Sequence, residues 1–293
     1  MPGSTVKFTT EKSIPYILVT PYLLHFLVIT AFPVIFSLIL TLHRWNLLSP
    51  MQWIGGTNFS TVLTDALFWK SLWNTIRFLM IHIPLQVGIA LMLAVILNQQ
   101  IRARGFFRAA YFLPVVVSGV VVTILWKQLY ASETGTINAL LSTVGLPRVE
   151  WLTSTRIAMP AIAIMATWKN VGLYIILLLA GLQSIPRQLY EAAMLDGAGR
   201  LGQFFQITIP MLNPILLSVI ILSTINGFSL FIEPYVMTGG GPLNSTLSMN
   251  LYTYRQAFVF YKMGYAATLG FTMAVIIFAV VVLERRYVER DYL

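Results

Sequence analysis

Pro186-Arg187-Gln188-Leu189-Tyr190-Glu191-Ala192-Ala193-Met194-Leu195-Asp196-Gly197-Ala198-Gly199-Arg200-Leu201-Gly202-Gln203-Phe204-Phe205-Gln206-Ile207-Thr208-Ile209-Pro210 is a mostly polar island between two apolar runs, each long enough to cross a bilayer. Pro186 can open a helix, because the first helical position needs no N–H donor. Glu191 then lies near the positive end of that helix. Leu189, Ala192, Ala193 and Asp196 share one face at helical spacing. Gly197 and Gly199 stop the helix or let the backbone turn. A second short helix can follow, and Pro210 marks the next start. The expected product is a compact helix–turn–helix on the membrane surface, with small residues that let another surface approach closely.

Outward from the island, the chain reads as an all-α membrane protein with six spans and a surface loop, 183–208, between spans four and five. The spans are expected at about 14–42, 74–97, 106–126, 157–182, 209–232 and 263–283. They form one transmembrane domain, 14–284, flanked by short tails at 1–13 and 285–293. Each has the roughly twenty residues a crossing helix needs. All must be helical, since lipid cannot satisfy free backbone groups. Composition agrees. Hydrophobic residues make up 57% and charged residues 10%, with a mean hydropathy of +0.78. An ordinary soluble domain carries about 25% charged residues.

The net charge of +9 is scattered at span boundaries, which suits loops held against an anionic leaflet and gives no nucleic-acid signal. Arg102, Arg104, Arg108, Arg187, Arg200, Arg285 and Arg286 crowd the shorter loops, which count most in setting orientation. Both termini and the island are therefore expected in the cytoplasm. The chain has no cysteine and only three histidines, so thiolate sites are excluded and no metal-ligand spacing occurs. No Gly-Lys dipeptide exists, which excludes a P-loop. A catalytic carboxylate pair or triad is equally hard to assemble, and no enzyme activity is expected.

The island resembles the loop that defines permease subunits of bacterial ABC importers: Glu-Ala-Ala, three residues, Gly, nine residues, Ile-x-Leu-Pro. Here it reads Glu191-Ala192-Ala193, Gly197, then Ile207-Thr208-Ile209-Pro210, with Ile209 in place of Leu. Gly105-Phe106-Phe107-Arg108, Leu179-Ala180-Gly181-Leu182-Gln183-Ser184-Ile185-Pro186 and Thr238-Gly239-Gly240-Gly241-Pro242 are similar, in order and spacing, to segments of the carbohydrate type, specifically the maltose-permease-like first subunit. The resemblance implies a multi-pass protein of a bacterial or archaeal cytoplasmic membrane that forms half of a translocation path for a sugar or polyol. It implies four kinds of partner: a second permease subunit, two ATPase subunits, an extracytoplasmic solute-binding protein and the lipid. It implies no cofactor in this chain, with ATP and Mg held by the ATPases. Glu191, Ala192, Ala193, Asp196, Gly197, Ile207 and Pro210 would then dock the ATPase.

Two further features concern the path. Lys169, in Thr167-Trp168-Lys169-Asn170, is a charge inside an apolar stretch. Either the span begins near Lys169, which snorkels outward beside Trp168, or Lys169 faces a wet cavity. Ser223, Asn226 and Ser229 interrupt the fifth span and either join helices or line the path. A self-sufficient secondary transporter or channel is the alternative. It would keep acidic groups inside its spans, whereas Glu233 comes nearest, at the outer end of span five.

Overall fold

A computed structural model describes residues 10–99 and 102–288. The expected N-terminal tail up to residue 9, residues 100 and 101 of the basic turn, and the C-terminal tail from residue 289 lie outside the described residues. Helices dominate, and the one strand pair among the described residues is His43–Arg44 against Gln52–Trp53. Five helices are long and apolar enough to cross a membrane, and a bent pair makes a sixth candidate.

The chain divides into two compact units. The first runs through Thr64 and includes Arg255–Phe271. Its long helix comprises Thr10–His25, a widened stretch Phe26–Ala31, and Phe32–Leu40. The widening has a local cause: Pro33 has no N–H to give and its ring crowds the carbonyl four residues back. Only 6% of this helix's apolar window is buried within the chain. After it, Asn58 donates to the carbonyls of Thr41 (2.8 Å) and His43 (3.0 Å), holding the exit of the helix.

The second unit comprises Asp65–Tyr254 and the chain from Thr272 onward. Its centre is the helix Ala158–Ser184, 61% buried over its apolar window. Lipid is as apolar as leucine, so close packing rather than hydrophobicity selects the interior helix. Ala158, Ala161, Ala163 and Ala166 are fully or almost fully buried along it. A Cβ at Gly172 would stand 2.1 Å from the Tyr111 carbonyl oxygen, so only glycine lets the helix Arg104–Val116 lie this close. The second long helix, Ala66–Asn98, packs along the central one and brings Ala90 and Ala94 against Tyr174 and Leu178. It starts well before the apolar stretch at 74, because the Asp65 carboxylate accepts from the Leu67 N–H at 2.8 Å and caps it.

Two expectations are corrected, and a third gains detail. Within the expected third span, 106–126, the helix is bent: Arg104–Val116 and Gly119–Leu129 meet at 97°. Pro114 removes a ladder bond, and extended Val117 and Ser118 follow, so the helix stops and restarts. Pro186 does not open the surface helix from inside. It is the extended residue before Arg187–Leu195. The second arm of the expected helix–turn–helix is not a separate helix either. Arg200–Gln203 continues through a widened Phe204–Thr208 directly into Ile209–Phe228. Pro210 sits at the first positions of that last segment, where widening has already released the N–H it lacks.

The connecting loops also carry structure. Thr136–Thr143 is helical, and Asn138 organises its surroundings. The Asn138 amide donates to Ser132 and Val149 carbonyls and accepts from the Val149 N–H and the Trp151 indole, all at 3.0 Å. Residues 244–249 close against the helix Ala66–Asn98 through Asn74, which donates to Asn244 (2.8 Å) and Leu247 (3.0 Å).

Candidate functional site

Two places gather the candidate residues. The first is the surface island. Arg187–Leu195 ends in a closed C-cap: the Ala198 N–H donates to Ala193 O (2.8 Å) and the Gly197 N–H to Met194 O (3.1 Å). That pair of bonds needs a left-handed residue, and Gly197 has φ +82°. A hydrogen bond of 2.9 Å between the Tyr190 and Thr208 hydroxyls ties the short helix to the root of the next span. Glu191, Ala192, Asp196 and Gly197 are exposed, Ala193 and Pro210 are half-buried, and Ile207 packs inward beside Tyr190. Leu195 and Leu201 are 90% and 76% exposed, apolar side chains standing beside the turn. Asp196 caps the negative end of its helix, where a carboxylate gains nothing from the dipole. Arg104 and Arg108 approach the same end of the bundle. With the Gln183 amide oriented so that its oxygen accepts, their guanidinia donate to it at 2.7 and 3.2 Å.

The second place is a cavity of about 440 Å³ inside the second unit. Phe78 and His82 of Ala66–Asn98 form one wall, and Ala166, Lys169, Asn170 and Tyr174 of the central helix another. Asn226, Ser229, Phe231 and Glu233 complete it. The chain turns here because Ile209–Phe228 ends in a polar turn, with the Ser229 N–H bonding back to Ile225 and Asn226. The next helix, Ile232–Met237, starts with Glu233 in its first turn.

Lys169 does not sit at a helix start. The helix begins at Ala158, well ahead of it. The Lys169 Nζ instead donates to Glu233 Oε1 at 3.1 Å, with the two side chains only 14% and 9% exposed. Glu233 is thus a buried partner rather than a free carboxylate. Asn226 lines the cavity and its amide donates to the Tyr174 hydroxyl at 3.1 Å. Ser229 lines it too. Ser223 does not: it is buried between helices, where its hydroxyl donates to Gln86 Oε1 at 2.9 Å. His82 is turned by Thr167 (2.8 Å) and stacks on Phe78.

Sequence reading missed Glu233 and Tyr174 as members of this site. The one signal available for Glu233 was Lys169 itself, since a cation inside a span demands a partner. The walls present amide and hydroxyl groups, the rings of Phe78, His82, Tyr174 and Phe231, and an ion pair. That set can hold a polyhydroxylated solute by hydrogen bonds and ring contact. Among the described residues no cluster of three His, Asp or Glu forms that could bind a metal.

Comparison with known proteins gives consistent matches. The family described as binding-protein-dependent transport system inner membrane component matches residues 86–290. The lactose transport system permease protein LacF of Rhizobium radiobacter is 36% identical, covering 94% of this chain and 94% of the relative. The trehalose/maltose transport system permease protein MalF of Thermococcus litoralis is 36% identical, covering 87% and 85%. A chain from the crystal structure of a bacterial ABC transporter that imports the acidic polysaccharide alginate shares the fold, with a TM-score of 0.79 at 24% identity, covering 95% of this chain and 98% of that one.

Proposed function

We propose a function that proceeds from membership: the chain belongs to the family of binding-protein-dependent transport system inner membrane components. In this reading it is one permease subunit of an ATP-driven importer and forms half of the path for a sugar or related polyol. The observation that carries the solute class is the cavity, with Asn226, Tyr174, Asn170 and Ser229 supplying neutral hydrogen-bonding groups beside Phe231. Saccharides present dense hydroxyls and apolar ring faces, and this lining complements both. The names of the lactose and trehalose/maltose permeases support the same class.

The partners in this reading are a second permease subunit, two ATPase subunits that hold ATP and Mg, and an extracytoplasmic solute-binding protein. Loop 183–208 faces the cytoplasm, and Glu191, Ala192, Ala193, Asp196, Gly197, Ile207 and Pro210 form the ATPase-docking region. The exposed Leu195 and Leu201 beside a rigid turn support that assignment, as do Arg104 and Arg108 at the same end of the bundle. Both termini then lie in the cytoplasm of a bacterium or archaeon. Glu233 is the sort of buried carboxylate that a secondary transporter also carries, but it is paired with a fixed cation, and the family is binding-protein-dependent.

The test is affinity purification of the full chain from its native membrane, followed by reconstitution of what co-purifies. An ATPase and a second permease should accompany it. ATP-dependent uptake of a panel of uncharged di- and trisaccharides should appear when the binding protein is added. A chain that purifies alone and accumulates solute on an ion gradient would overturn the reading.

A further inference from the structure

We propose that the Lys169–Glu233 pair sets the charge of the cavity at zero, making it a site for uncharged saccharides that excludes carboxylated ones, with Glu233 as the specificity-determining residue. This rests on the reading of the cavity as part of the solute path. Lys169 and Glu233 are the lining residues that carry a formal charge, and they meet at 3.1 Å. The other polar wall groups, among them Asn170, Asn226 and Ser229, are neutral.

The ammonium is also held in place. A Cβ at Gly119 would come within 2.9 Å of Lys169 Nζ, so the start of the helix Gly119–Leu129 lies against it. Helix starts are themselves positive. Lys169 and that helix start together form an electropositive corner, suited to a carboxylate. Glu233 already supplies that carboxylate from within the chain. A uronic-acid unit entering the cavity would therefore find its counter-charge occupied and would meet Glu233 as a like charge, while losing its own hydration. A neutral sugar meets no such opposition, and its hydroxyls can share the unused lone pairs and N–H groups of the pair. Removing the Glu233 charge alone should convert the corner into an anion site.

The absence of cysteine allows this charge balance to be measured apart from transport. Ser229→Cys places one thiol on the exposed cavity wall, and Thr134→Cys places one on an exposed loop as reference. In the assembled transporter, each thiol reacts with a sulfonate-bearing and a trimethylammonium-bearing methanethiosulfonate. With Glu233 present, the anionic-to-cationic rate ratio should match that of the loop. Glu233→Gln should raise it about fivefold or more, since one unbalanced charge acts oppositely on the two reagents at short range. Lys169→Met should lower it, and the double variant should restore it, so the test survives if one single variant fails to assemble. In parallel, the unmodified transporter should take up uncharged saccharides and not a diuronate, and Glu233→Gln should admit the diuronate. Rate ratios unmoved by either single variant would overturn the proposal whatever the transporter carries. Ratios that move as expected in a transporter taking up none of the uncharged saccharides would instead overturn the solute reading, and the assigned substrate class with it.

Discussion

Gly197 separates two costs that a loop mutation usually mixes. Its φ of +82° is in the left-handed region, and a Cβ built there meets nothing within 4 Å. A side chain at 197 therefore strains the backbone but clashes with no part of this chain. The strain is about 1–2 kcal/mol for an ordinary L-residue and least for Asn and Asp. Gly197→Asn and Gly197→Asp are near-isosteric, so the turn should cost each about 1 kcal/mol. The aspartate charge beside a helix C-terminus adds about 0.3–1 kcal/mol. Neither variant should stop the spans from inserting.

The two should part company if an ATPase packs on this turn. A carboxylate trapped at a packed interface costs several kcal/mol more than its neutral isostere. Taking about 3 kcal/mol, the ATPase should bind Gly197→Asp on the order of 100-fold more weakly than Gly197→Asn. Gly197→Asn itself should lose no more than about tenfold. The assay is ATPase binding to the purified permease pair, read with solute-stimulated ATP hydrolysis and uptake. Equal losses for Asn and Asp would mean that only the shape of the turn matters and no partner desolvates it. Unmodified binding and uptake in both would remove the loop from coupling altogether. Glu191→Ala is the calibrating variant: as one exposed charge it should cost only about 0–1 kcal/mol.

Three further outcomes are expected. A membrane-impermeant thiol reagent on intact cells should label single cysteines at Thr134 and Asn244 but not at Gln203, and labelling of Gln203 would reverse the orientation. Asn226→Leu removes the group that donates to the Tyr174 hydroxyl and should cut saccharide uptake severalfold while the complex still assembles; unchanged uptake would assign Asn226 to helix packing. Gly172→Val must displace the backbone of Arg104–Val116 and should cost about 1–3 kcal/mol or more, read as a lower thermal midpoint in detergent. Gly88→Ala, with open space around it, should leave that midpoint unchanged.

Much of the fold was legible because the bilayer imposes a length and a composition on every crossing. The apolar runs at 157–182 and 263–283 could only be helices, and Ala158–Ser184 and Met263–Val288 begin within a residue of them and overrun their ends. Boundaries slipped where capping, rather than hydropathy, decides. Asp65 starts its helix ahead of the apolar run, and a polar residue in front of an apolar stretch looks the same whether it caps or merely precedes. The loop 127–156 reads as polar linker, yet Asn138 bonds four times within it. Composition cannot reveal that, since three of the partners are backbone groups and the fourth is the Trp151 indole, all brought near only by folding. The second arm of the surface loop failed for a related reason. Proline is a reliable stop only where its missing N–H is needed, and a widened turn at Phe204–Thr208 removes that need at Pro210.

The cavity was the least legible part, and the break in the third stretch explains why. A straight helix over 106–126 would have left Gly119 stacked on the turns before it. The 97° turn instead sets Gly119 against Lys169, and the polar end of Ile209–Phe228 brings Glu233 to the same place. Lys169 read alone cost about 2.5–3.5 kcal/mol in a span, so the economical sequence reading moved the span to put Lys169 at its edge. The structure keeps the helix and supplies the counter-charge from sixty-four residues away. Nothing in the local sequence of either residue encodes that pairing. It depends on a helix that stops at Val116 and another that stops at Phe228, two breaks whose causes, Pro114 and the turn at Ser229, are each visible and each innocuous in isolation. A cation within an apolar run is therefore better read as a demand for a partner somewhere in the chain than as evidence about where the run begins.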